Sequence, residues 1–175
     1  LIPTAHTEAA TMDNLESFAT TTLGKGVVVA KDTPNFIANR VGVFSILAVM
    51  AEAQKYGLGF DLVDDLTGSK LGRAKSATFR TADVVGLDTM AHVIKTMEDN
   101  LKDDPFAANY PVPPVLKVLV EKGALGQKSG AGFYRKEGKE IKVLDAAKGE
   151  YVAGGTKADE LVARILKKPA AERFK

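Results

Sequence analysis

Apolar residues recur along this chain mostly at helical spacing, and that pattern predicts a mainly α-helical molecule with extended stretches near both ends. Between Thr7 and Leu23, the residues Met12, Leu15, Phe18, Ala19 and Leu23 return every three or four positions, with Thr7 as N-cap and Gly24 as the stop. Val27-Val28-Val29-Ala30 follows at once, a β-branched run of the kind buried on both faces of a sheet. A helix leading straight into such a strand is the α-to-β step of an α/β sheet, and one step alone cannot cover its own faces. Leu1-Ile2-Pro3 reads as the tail of another strand.

The pattern changes at Lys31-Asp32-Thr33-Pro34. Thr33 is placed to cap a helix with Pro34 in its first position, where a missing N–H does no harm. Ile37, Val41, Phe44, Ala48 and Ala51 then form one stripe, which Phe36, Val43, Leu47 and Met50 widen, as expected of the central helix of a bundle. It should run to about Tyr56, end at Gly57 and exceed about 20 residues, long for a globular helix. A short helix follows Asp61 with Leu62, Val63 and Leu66 inward. After the basic loop Gly68–Ser76, Thr78 caps another, closed by Gly86. Asp88 caps the next, whose face is Met90, Val93, Ile94, Met97 and Leu101. Asp104 to Pro114 is a proline-rich loop, and Val115–Lys122 a helix closed by Gly123. Dense glycines from Gly126 to Gly138 around Phe133-Tyr134 predict extended chain with close backbone approaches, the rings serving as core plugs. Ile141–Leu144 and Glu150–Ala153 make a hairpin, and Ala158–Leu166 a last amphipathic helix.

The composition is that of an ordinary globular chain: 45% hydrophobic and 26% charged over 175 residues. The net charge of +2 gives no field that would mark a nucleic-acid binder. No apolar run reaches the roughly 20 residues that span a bilayer. The absence of cysteine removes disulfide and thiolate chemistry and fits a reducing, cytoplasmic setting. Both ends read as cuts: the chain opens on Leu1 and closes on a basic run of Lys167, Lys168, Arg173 and Lys175.

Three stretches carry a family resemblance. Asp32-Thr33-Pro34-Asn35-Phe36-Ile37-Ala38-Asn39-Arg40 resembles the Asp-Ser/Thr-Pro-Gly-Phe-Ile-Val-Asn-Arg signature of 3-hydroxyacyl-CoA dehydrogenases. Thr78-Phe79 through Asp83, then Gly86-Leu87-Asp88, resembles that family's Pro-Phe…Asp-x-x-Gly-Leu-Asp segment. Gly126-Gln127-Lys128-Ser129-Gly130-Ala131-Gly132-Phe133-Tyr134 is similar to its Gly-x-Lys-Thr/Ser-Gly-x-Gly-Phe-Tyr element. The order and spacing match as well. The wording around Gly72–Phe79 is closer to long bacterial forms fused to an enoyl-CoA hydratase domain.

The resemblance implies the following organisation. Residues 1–32 would be the last helix and strand of an NAD-binding Rossmann domain. Residues 33–135 would be a helical bundle of the 6-phosphogluconate-dehydrogenase C-terminal-like type. Residues 136–175 would form a small β hairpin and helix leading out of it. The implied activity is oxidation of an L-3-hydroxyacyl-CoA by NAD, within fatty acid β-oxidation. A histidine general base with a carboxylate behind it suits that reaction. The family's His-Phe-Phe-Asn-Pro motif, which supplies that base, does not occur in this sequence. His6 and His92 do not replace it: His6 sits beside a helix start, and His92 falls off the apolar stripe with only Asp88 a turn back. Gly24-Lys25-Gly26 precedes a strand instead of linking strand to helix, so it fails the context of a dinucleotide fingerprint. The chain by itself is therefore expected to bind no NAD and to be inactive.

One candidate active-site residue remains. Asn39, a turn and a half into the long helix, offers two donors and one acceptor; its family counterpart lies near the 3-oxygen of the acyl chain. The same amide equally suits a bond to neighbouring backbone at a domain junction. Arg40 is expected to pair with an acid across that junction. Lys70, Arg73, Lys75 and Arg80 form a basic cluster suited to CoA phosphates, or else a solvated or domain-contact surface. Asn35 departs from the glycine usual in the family. The partners implied are an acyl-CoA, the NAD-binding domain and a second copy as homodimer. A helical assembly module without a substrate role, and a dehydrogenase of other hydroxy acids, are the competing readings.

Overall fold

The structure, a computed structural model, describes residues 1–173, so Lys175 of the basic closing run lies outside the described residues. Its elements are, in order, α1 (Ala9–Ser17, prolonged by a π-helical turn, Phe18–Thr22), α2 (Ala38–Lys55), α3 (Phe60–Thr67), α4 (Phe79–Val85), α5 (Leu87–Asn100), α6 (Pro114–Glu121), β1 (Tyr134–Glu137), β2 (Glu140–Asp145), β3 (Glu150–Ala153) and α7 (Glu160–Lys167). The mainly helical class is as expected. The predicted hairpin gains a third strand, because β1 pairs antiparallel with β2 (Tyr134 opposite Val143) as β2 does with β3 (Val143 opposite Val152).

Of residues 1–32 only Ala30 is buried. No residue of α1 or its π turn is buried. Val28 and Val29, expected inside a sheet, are 66% and 55% exposed. The segment is extended but forms no strand; Leu1 and Val28–Ala30 run side by side, with Ala30 N–H donating to Leu1 O (2.8 Å) and the Leu1 amino group to Val28 O (2.7 Å). Thr7 does not cap α1, since its hydroxyl bonds the Thr4 N–H instead (2.9 Å). Gly24 takes the left-handed φ of +61° that stops the turn.

Helix α2 starts later than its sequence pattern suggests. Asn35 and Phe36 adopt φ of +62° and +51°, which breaks the helix that Thr33 and Pro34 would have opened and moves its first residue to Ala38. The helix is therefore 18 residues long, ending at Lys55 with Gly57 in the left-handed region. Its inward face is rotated from the predicted stripe: Ile46, Leu47, Met50 and Ala53 are buried, while Ile37 and Val41 are 49% and 63% exposed. The face expected to be secondary is the one the bundle covers. The first turns of α2 overhang it.

The core lies where α2, α3, α4, α5 and α6 meet the sheet. Phe60, Phe79 and Phe133 stack at its centre with ring centroids 4.5–4.9 Å apart. Met90, Ile94 and Met97 of α5 and Leu116 of α6 close it from one side, Val143 and Leu144 of β2 from the other. Phe133 is fully buried, as expected of a plug.

Candidate functional site

Asn39 occupies the first turn of α2, not its second, because the helix begins only at Ala38. Its side chain is exposed and has no hydrogen-bond partner among the described residues. Around it Phe36, Ile37 and Val41 present apolar surface to solvent. Val29, Ala30, Lys31, Thr33 and Arg40 join them to line an open cleft of about 450 Å³ between the extended N-terminal segment and α2. Asn39 is not among the residues that line this cleft; on α2 it projects from a different side than Ile37, Arg40 and Val41.

The residues flanking Asn39 are fixed. Asn35 donates from its side-chain amide to the carbonyl of Val93 in α5 (3.1 Å). Arg40 pairs with Asp104 (2.8 Å) in the loop after α5. That acid belongs to the helical bundle, not to a partner across a domain junction as expected. The Phe106 N–H, and after it Arg40, hold the Asp104 carboxyl below the usual range.

The basic cluster is divided. Lys70 forms an ion pair with Asp65, and Lys157 reaches the same carboxylate at 3.0 Å. Arg80 stacks over the Tyr134 ring, 4.4 Å from its centroid. Arg73 is exposed and donates to Ser45 Oγ (3.1 Å), and Lys75 is exposed without an ion pair among the described residues. Lys70 is thus paired with an acid and Arg80 stacked on a ring, while Arg73 holds only the Ser45 hydroxyl and Lys75 has no ion pair among the described residues.

The other motif residues hold the bundle together. Asp83 is buried and its carboxylate accepts the N–H groups of Phe133 (2.8 Å) and Tyr134 (2.9 Å). Burial, reinforced by the Asp64 charge, raises its pKa to about 6 against the pull of those two N–H groups and Arg80. Asp88 does not cap α5, whose N-cap is Gly86; it pairs with Lys128 at 2.6 Å. The second and third motifs therefore clasp one another at two points.

Asp64, not singled out from sequence, is the most heavily bonded acid. Its carboxylate accepts the N–H groups of Thr78 (2.9 Å), Phe79 (2.7 Å) and Arg80 (3.0 Å), capping α4 from another helix, and the Tyr134 hydroxyl (2.8 Å). Thr78, the predicted cap, makes no such bond; its hydroxyl meets that of Thr67 (2.8 Å). Burial raises the pKa of Asp64 and of Tyr134 alike. Asp61 and Asp65 pin the segment after β3, accepting the N–H groups of Gly155 (2.9 Å), Thr156 (2.8 Å) and Ala158 (3.0 Å). One signal was visible: Phe60, Val63, Asp64 and Thr67 share a helical face, so a carboxylate stands in an apolar stripe.

A dinucleotide does not fit the glycines present. Gly24 and Gly26 follow a helix and lead into extended chain, so no helix N-terminus stands beyond them to receive a pyrophosphate. His6 and His92 are exposed and lie in different elements, and Asp88 is taken by Lys128. Among the described residues no helix is long and apolar enough to cross a membrane.

The family model described as 3-hydroxyacyl-CoA dehydrogenase, C-terminal domain, matches residues 36–136. A probable 3-hydroxyacyl-CoA dehydrogenase of Bacillus subtilis is 47% identical over 145 residues, which is 83% of this chain and 18% of that protein. A protein of the same description from Deinococcus radiodurans is 48% identical over 136 residues, 78% of this chain and 38% of that protein. The chain thus spans well under half the length of these relatives. The crystal structure of FadB2 from M. tuberculosis superposes with a TM-score of 0.64 at 33% identity, over 78% of this chain and 46% of that one.

Proposed function

The chain belongs to the 3-hydroxyacyl-CoA dehydrogenase family, as its C-terminal domain, and from that premise we propose that it supplies the substrate side of an NAD-dependent L-3-hydroxyacyl-CoA dehydrogenase of fatty acid β-oxidation. The reaction converts an L-3-hydroxyacyl-CoA and NAD to the 3-ketoacyl-CoA and NADH, in a cytoplasmic enzyme. The exposed, unbonded amide of Asn39 in the first turn of α2 carries this reading. Asn39 orients the 3-oxygen of the acyl chain. NAD supplies the hydride acceptor when bound to the remainder of the enzyme, and the general base comes from there too. Arg73 and Lys75 are the members of the basic loop available to CoA phosphates.

The exposed Phe36, Ile37 and Val41, which line the open cleft together with the exposed Val29, favour a second role for this surface. They dock the NAD-binding domain against α2, because so continuous an apolar patch is costly to leave in water.

The test is an assay with NAD and 3-hydroxybutyryl-CoA. The 175-residue chain alone is expected to form no NADH, and turnover by it would refute the division of labour. In the full-length enzyme, Asn39→Ala is expected to lower kcat by about 100-fold, the cost of removing one polar group aimed at a reacting oxygen. An unchanged kcat would remove Asn39 from the site.

A further inference from the structure

We infer that Asn35 and Arg40 are positioning residues, clamping the entry turn of α2 onto α5 and its following loop so that the backbone carrying the unbonded Asn39 is held in one place. The inference rests on the reading of Asn39 above. It begins from an oddity of that residue: a side chain with no partner of its own can be aimed only by its backbone. That backbone follows directly on two consecutive non-glycine residues in the left-handed region, Asn35 at +62° and Phe36 at +51°. Asparagine tolerates this conformation better than most residues, phenylalanine poorly. Such a turn persists only where its surroundings over-determine it.

The surroundings do so from both sides. Four residues before Asn39, the Asn35 amide donates to Val93 O in the middle of α5 (3.1 Å). One residue after it, the Arg40 guanidinium reaches Asp104 Oδ2 (2.8 Å), while Asp104 Oδ1 accepts the Phe106 N–H (2.9 Å). Phe106 in turn packs on Phe44 of α2, ring centroids 4.4 Å apart. No side chain caps the N-terminus of α2, and these two contacts tie its overhanging first turn to α5 and the loop after it. The glycine usual in the family at position 35 would meet the φ requirement but donate nothing, so the asparagine adds a fixed point that a glycine lacks.

The full-length enzyme tests this with three variants. Asn35→Gly keeps the left-handed backbone and deletes the amide; kcat is expected to fall by about 10-fold with KM within about 2-fold and little change in melting temperature, the signature of a misplaced group. Asp104→Ala should act likewise through Arg40, and Asp104→Asn, which keeps an acceptor, should restore most of the loss. In the 175-residue chain, hydrogen exchange at the Val41 amide, which bonds the Ile37 carbonyl, should accelerate in Asn35→Gly while the amides of Ile46–Ala53 stay protected. Full kcat in both Asn35→Gly and Asp104→Ala overturns the inference, as does a melting-temperature drop large enough to explain the loss. Asn39→Ala separates the two readings: if it is silent, the role of Asn39 fails, whereas if it is impaired and Asn35→Gly is not, only the clamp fails.

Discussion

Gly132 lies so close to Asp83 that a Cβ built on it would stand 2.7 Å from the carboxylate carbon, nearer still to Oδ1. This approach explains why glycine precedes Phe133-Tyr134. Only without a side chain at 132 can the strand come near enough for Asp83 to accept the next two N–H groups. Gly132→Ala is expected to destabilise the chain by about 3 kcal/mol, because either the strand moves and both bonds lengthen, or the buried carboxylate does. Urea unfolding checks it, with Gly130→Ala as comparison. Gly130 has open space around its Cβ position and its cost is the left-handed φ of +77° alone, about 1 kcal/mol. Equal losses would mean that crowding against Asp83 is not what position 132 requires.

The same carboxylate makes stability depend on pH in the direction opposite to a surface ion pair. Burial lifts the Asp83 pKa to about 6, from an ordinary 3.8 in the unfolded chain. A raised pKa means that the native state binds the proton more tightly, so this contribution is present at low pH and is lost as pH rises from about 4 through 6. Ionising the buried group costs on the order of 3 kcal/mol at pH 7. The wild type should therefore gain stability relative to Asp83→Asn as pH falls from 7 to 4. Chemical denaturation of both proteins at half-unit pH intervals measures the difference, and a difference independent of pH would contradict it.

Asp64 and Tyr134 form the other half of this buried network. Asp64→Ala orphans three N–H groups at the start of α4 and leaves the Tyr134 hydroxyl only the Phe60 carbonyl (3.3 Å), and should cost about 3 kcal/mol or more. Tyr134→Phe removes one of the four donors and leaves the cap intact, for about 1 kcal/mol. The two changes share a bond of 2.8 Å, so the double variant should lose less than the sum of the singles. Additive losses in thermal unfolding would show that the hydroxyl contributes nothing through Asp64.

Periodicity carried much of this fold and little of how it is locked. The positions of α3, α5, α6 and the β2–β3 hairpin follow from apolar spacing and glycine stops, which are local signals. The inward face of α2 did not, because residues 36–56 are apolar nearly all round, and which side is covered depends on where α5 and the sheet arrive. The start of α2 was missed for a related reason: Thr33-Pro34 is a sound local opening, overridden by left-handed residues at 35 and 36 that a contact with Val93 supports. β1 was hidden in a glycine-rich stretch whose pairing partner, β2, is visible only in three dimensions. Of the site, Asn39 came from motif resemblance, while Asp64, Asp83 and Asp104 bond groups up to 70 residues distant in sequence, a separation that no spacing rule reaches.

The basic loop supplies a test in which charge alone predicts the wrong grouping. Lys70, Arg73, Lys75 and Arg80 look equivalent in sequence, yet two are structural. Burial pushes the Asp65 carboxyl up, but bonds from Lys70, the Ala158 N–H and Lys157 outweigh it and hold the pKa at about 2. This is a depressed acid, so its stabilisation is present above the unfolded pKa near 4 and disappears as pH falls towards 2. Lys70→Ala is expected to cost about 1 kcal/mol at neutral pH, discounted for the exposure of the lysine, and to cost nothing near pH 2. Arg80→Ala loses the stacking on Tyr134, again about 1 kcal/mol. Arg73→Ala and Lys75→Ala, whose side chains face solvent, should each change stability by less than about 0.5 kcal/mol. CoA titrated against the chain by calorimetry at low and high salt reads the other property. The Arg73→Ala, Lys75→Ala double variant should weaken binding several-fold and flatten its salt dependence without lowering the melting temperature. If it binds CoA like wild type, the loop is not a phosphate contact and its exposed charge is only solvated surface.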